Sequence, residues 1–68
     1  MIILKWTNKF SGETGYVGKV SVKAGHFTNA ETKESAKTYK TENMAKKDIE
    51  RLTDIGEAEN NIFTMEEV

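Results

Sequence analysis

The chain has no cysteine, a single histidine and a single arginine among its 68 residues. Without cysteine there is no disulfide framework, which points away from an oxidising compartment and toward the cytoplasm. One histidine and no thiol give no set of soft ligands for a structural zinc site. Any serine, histidine and carboxylate triad would have to be built on His26 alone, and Ser11, Ser21 and Ser35 lack the strand-turn-helix context of an activated nucleophile. The longest uninterrupted aliphatic run is Met1 to Leu4. That is far short of the roughly 20 residues of a membrane helix or the roughly 7 to 15 of a signal-peptide core. Neither export, nor a membrane anchor, nor a cofactor is expected.

Length limits the architecture. A domain of about 60 residues buries only about 60% of its unfolded surface, so residues 1–68 are read as one domain with one core. The 37% hydrophobic and 31% charged residues place the chain among sequences that fold. A core this small, with no covalent staple, often gains stability from a partner or from self-association, and a homodimer is one expectation.

Period-two alternation marks the first strand, where Ile2, Leu4 and Trp6 form the larger apolar face and Ile3, Lys5 and Thr7 the other. Ser11 to Gly15 concentrates turn formers, so a hairpin follows. In the next strand Tyr16, Val20 and Val22 are expected to face one way, with Val17, Lys19, Ser21 and Lys23 facing the other. After Ala24-Gly25 a short third strand is expected at His26-Phe27-Thr28. The stretch Thr32 to Tyr39 is open between helix, strand and loop, with one helical turn at Glu34 to Lys37 and Tyr39 packing back on the sheet as one reading.

Thr41 is placed as a helix N-cap, and Glu42 lies where the helix dipole favours a negative charge. Ala45, Ile49, Leu52 and Ile55 make an apolar stripe, and Gly56 suits the left-handed residue that ends a helix. Ile62 to Met65 reads as a closing strand. The expected fold is therefore α+β: an antiparallel sheet of three or four strands, in the order β-β-(β)-α-β, with one helix packed on one face. The other face is left to solvent or a partner, and Ile3, Lys5, Thr7, Val17, Lys19, Ser21 and Lys23 are its expected members.

The candidate chemistry is sparse. Gly12, Gly15 and Gly18 recur every three residues, but they lie between strands rather than between a strand and a helix, so they read as hairpin glycines. His26 reads as an ordinary strand-edge residue. Asp48, Glu50 and Asp54 offer no alternating oxygen ligands for calcium and read as a solvated helix face. Enzyme activity is not expected.

Charge is distributed unevenly along the chain. Residues 1–47 hold nine lysines against four glutamates, whereas residues 48–68 hold Arg51 against seven carboxylates. Lys5, Lys9, Lys19 and Lys23 on the hairpin suit phosphates, with Trp6, Phe10, Tyr16 or Phe27 available to stack on bases. A pI of about 5.8 and a single arginine weigh against such a role. Asp54, Glu57, Glu59, Glu66 and Glu67 suggest a row of carboxylates imitating phosphates. A net charge of −1 is small for full mimicry of DNA and fits a local acidic contact better.

Several segments carry a resemblance: Tyr16-Val17, Gly25 to Thr28, Ala36 to Glu42 with Ala45 and Ile49, and the closing Phe63 to Val68. Through them the chain resembles, over most of its length, small accessory proteins encoded by phages and prophages of low-GC Gram-positive bacteria. The resemblance implies a non-enzymatic factor that binds a host protein and inhibits or redirects it, defence systems such as CRISPR nucleases included. Contacts would then come from the hairpin side (Lys5, Lys19, Lys23) or from the acidic end (Glu57, Glu59, Glu66, Glu67). A nucleic-acid binder using the Lys-rich hairpin and a homodimeric assembly subunit are the alternatives that the residues leave open.

Overall fold

The computed structural model describes all residues, Met1–Val68. The elements follow in the order β1 (Ile2–Asn8), β2 (Thr14–Ser21), β3 (His26–Ala30), α1 (Glu42–Asp54), a 3-10 turn (Glu57–Glu59) and β4 (Asn61–Glu67). The sheet has four strands, all antiparallel, in the order β3-β2-β1-β4. The α+β architecture with one helix on one face is thus the observed one. No helix is long and apolar enough to cross a membrane.

Alternation along β1 sorts the core into two parts. Leu4 lies opposite Met65 and Trp6 opposite Phe63 on the face that α1 covers. There Ile2, Leu4 and Val17 pack with Tyr39, Ala45 and Leu52. The second face carries Ile3, Lys5 and Thr7, opposite Glu66, Thr64 and Ile62. Ile3 was expected to be open on that face, yet it is fully buried with Ala30 and Ala36, and Tyr16 packs against them. The 31–36 connection supplies the cover, which local alternation has no means of announcing.

A bulge corrects the reading of β2. Val17 belongs to the helix-side core and Tyr16 to the second face, the reverse of the expectation. The register shifts between Val17 and Lys19, so Tyr16 pairs with Ala30 and Val17 with Asn29, while Val20 pairs with Phe27. One extra residue, Gly18, changes the phase of the strand and brings Val17 and Val20 to the same side. Val22 and Lys23 fall in the turn after the strand, not within it.

The bulge also makes room for another segment. Pairing of β1 with β2 ends at Lys5 and Tyr16. Beyond it, the Ile2 N–H donates to the Tyr39 carbonyl at 2.9 Å, the Tyr39 N–H donates to the Ile2 carbonyl at 2.7 Å, and the Lys37 N–H donates to the Val17 carbonyl at 3.0 Å. Residues 37–39 therefore bridge the diverging strands and satisfy backbone groups that would otherwise lose their partners. Ala36 ends on the second face and Tyr39 in the helix-side core, so the chain changes faces here. No continuous helix or strand forms over 32–39 apart from the isolated Ile2–Tyr39 bridge.

Helix α1 starts and stops as its sequence dictates. The Thr41 hydroxyl accepts the Met44 N–H at 3.3 Å, and Gly56 takes a φ of +88° just beyond the C-cap Ile55.

Gly15 is required by a close approach. The Trp6 indole crosses it, with Nε1 donating to Asn29 Oδ1 at 2.8 Å, and a Cβ at this position would lie 2.7 Å from that nitrogen and 2.3 Å from Asn29 Oδ1. Gly15→Ala is expected to cost about 1–3 kcal/mol, because the indole must leave its place beside Phe27. Urea unfolding followed by tryptophan fluorescence measures this, and an unchanged midpoint would show that the ring moves without penalty.

Candidate functional site

Two surfaces stand out, one on each side of the sheet. The first is the part of the second face that the 31–36 connection leaves uncovered. Lys5, Thr7 and Thr14, with Tyr16, Ile62 and Thr64, lie there by strand register, and Ile62 is 52% exposed. Lys19, paired with Thr28, extends the same face on β2. Lys5 and Lys19 therefore share a face, as expected, whereas Lys23 lies in the turn beyond it.

The acidic end does not make a single patch. Glu57 and Glu59 sit in the 3-10 turn before β4, and Glu66 and Glu67 close that strand. The strand between them spans about 20 Å at roughly 3.3 Å per residue. Glu66 and Glu67 also point to opposite faces. Glu66 is engaged by Lys33 at 2.8 Å, and this hydrogen bond, ahead of the nearby positive charges, holds its carboxyl below the usual range. A row of carboxylates imitating phosphates would need one continuous surface, which this placement does not provide.

Among the aromatic residues considered for base stacking, Trp6 and Phe27 belong to the helix side, where Phe27 also meets Phe63 edge-on at 5.4 Å between ring centres. Tyr16 is half-buried on the second face. Only Phe10, at the tip of the first hairpin, is widely exposed, at 80%. Lys9 stays at the exposed surface, its Nζ donating to the Ala58 carbonyl at 2.9 Å. No group of three or more metal-ligating side chains converges anywhere in the chain.

The second surface was not legible as a site. Asp48, expected on a solvated helix face, is only 1% exposed. Its Oδ2 accepts from Lys37 Nζ at 2.8 Å and from the Tyr39 hydroxyl, and its Oδ1 accepts from Arg51 Nη1 at 2.6 Å. Burial alone would raise the carboxyl's pKa, but the bonds from Lys37, Tyr39 and Arg51 together outweigh it and hold the group below the ordinary aspartate range. Burial, followed by the bond to Asp48, pushes the Tyr39 hydroxyl well above its ordinary value. The Lys37 ammonium also stands 5.1 Å from the centre of the Tyr39 ring.

Beside this cluster lies a shallow depression of about 260 Å³, lined by Lys37, Thr38, Met44, Lys47 and Arg51 with Tyr39 and Asp48 at its base. The available sequence signal was positional: Asp48 lies three residues after Ala45 and four before Leu52, on the edge of the buried stripe. Its partners come from a connection whose path only the folded chain defines. Comparison with protein-family models, with curated proteins and with solved structures finds no match to this chain.

Proposed function

We propose that this protein is a non-enzymatic accessory factor that binds a larger protein through the uncovered part of its second sheet face. The observation that carries the reading is the one-sided cover of the sheet. Helix α1 packs on one face only, and the 31–36 connection shields Ile3 but leaves Ile62 half-exposed opposite Thr7, with the Lys5–Thr64 pair next along the same face and Lys19 further off on β2. An aliphatic anchor ringed by polar and cationic groups suits a protein partner, since interface centres are apolar and their rims polar. The likeness to accessory proteins of phages supports a host protein as the partner, with an inhibitory or redirecting role.

The test is capture from a nuclease-treated bacterial lysate, with the parent chain compared against a Lys5→Glu, Lys19→Glu, Ile62→Lys variant. A stoichiometric host protein held by the parent and lost by the folded variant is the expected result. Retention by the variant would remove the sheet face from the reading. A fraction captured from untreated lysate and lost from the nuclease-treated one would favour nucleic acid instead. If the parent sediments as a dimer and the variant as a monomer, the face joins two copies.

A further inference from the structure

We infer that the depression beside α1 is a second binding site, built to take the carboxylates of an acidic peptide segment from another protein. Asp48 is the organising element. Its buried carboxylate grips Lys37 at 2.8 Å and Arg51 at 2.6 Å, while Tyr39 supplies a third donor from beneath. Both cations remain about half-exposed, with 42% and 54% of their side chains open to solvent. One carboxylate therefore fixes two cations in position without consuming them.

The donors left over define the ligand. A lysine carries three N–H groups and an arginine five. Lys37 gives one hydrogen bond to Asp48, and so does Arg51. Lys47 lines the same depression and makes no ion pair within the chain. Three cations thus surround a single, already satisfied carboxylate, which leaves an excess of positive charge with unspent donors. Holding two of them in place beforehand removes part of the ordering cost that flexible surface lysines would bring to binding.

Peptide carboxylates fit better than a nucleic-acid strand. The guanidinium fork of Arg51 matches the planar carboxylate. Met44, 50% exposed, adds an apolar contact at the rim for an aliphatic side chain between acidic ones. A single-stranded nucleic acid would lack a stacking platform here, because the only aromatic ring in the depression, Tyr39, is buried. The site stands apart from the sheet-face reading, because it shares no residue with it.

The experiment is a titration of the isotopically labelled chain with the capped peptide EDLEDL, followed by amide chemical shifts, with the neutral peptide QNLQNL and a single-stranded oligonucleotide as comparisons. The expected result is shifts centred on Thr38, Met44, Lys47 and Arg51 with the acidic peptide alone. Affinity should fall about tenfold in Lys47→Glu, which leaves the Asp48 cluster intact, and should decline with salt as charge-steered contacts do. Shifts confined to the Lys5 and Lys19 face, equal binding of the neutral peptide, tighter binding of the oligonucleotide, or indifference to Lys47→Glu would each overturn the inference.

Discussion

Asp48→Ala is expected to lower the stability of the fold by about 3 kcal/mol, the lower end of what breaking a buried ion pair costs. The lower end applies because Lys37 and Arg51 are half-exposed and regain water, whereas the Tyr39 hydroxyl is left buried without its acceptor. For a chain of 68 residues the whole stability is roughly 3 to 10 kcal/mol, so the loss is a large fraction of it. Asp48→Asn keeps an acceptor for Tyr39 and should cost less. Urea unfolding of the two variants, read by circular dichroism, gives the order. If alanine proves no worse than asparagine, the Tyr39 bond is not what makes the position costly.

The same carboxylate predicts a pH dependence of known sign. The pKa of Asp48 is lower in the folded chain than the ordinary value of 3.8, so the unfolded chain binds the proton more readily. Its contribution is complete above the ordinary value and is lost as pH falls through the depressed one. Acid unfolding of the parent should therefore steepen below about pH 4, and Asp48→Asn should flatten that limb. At the alkaline end Tyr39 works the other way. Its raised pKa means that the folded chain holds the phenolic proton more tightly, and stability should decline as pH rises above the ordinary tyrosine value.

The second large effect is expected at Ile3. By alternation alone this residue belongs to the open face, where Ile3→Lys would be harmless. In the fold it is fully buried beneath the 31–36 connection. A lysine there loses the burial of an aliphatic side chain and forces a charge into an apolar site, so the cost should reach about 4 kcal/mol or more and leave much of the chain unfolded at room temperature. Thr14→Lys, exposed on the same face but beyond the cover, should change stability by no more than about 0.5 kcal/mol. Equal midpoints for the two variants would mean that the connection does not hold its place over Ile3.

These two positions also mark where sequence reasoning reached its limit. Three strands, an optional short one at His26 to Thr28, the capped helix with its Ala45 and Leu52 stripe and the Gly56 stop follow from local pattern, whereas the inward packing of Tyr39 is one of several readings of an open stretch. Period, cap and turn chemistry act over a few residues and are written in the chain itself. The phase error at Tyr16 and Val17 has a local cause, and Gly18 inside an alternating run was the available warning of a bulge. Ile3 had no comparable signal, and Asp48 had only its position on the edge of the buried helix stripe. What covers them arrives from the 31–39 connection, whose backbone bonds to Ile2 and Val17 exist only after the sheet has formed.

For function the division is similar. Residue content and motif spacing directed attention away from catalysis and toward binding, and strand alternation put Lys5 and Lys19 on one face of the sheet. Tertiary structure decided that Glu57 and Glu59 lie a strand's length from Glu66 and Glu67, and that Lys37, Lys47 and Arg51 meet around Asp48. Local structure is determined by neighbours in the chain, so the sequence carries it. A surface is made of residues distant in sequence, and their charges add only where the fold brings them within about a screening length of one another.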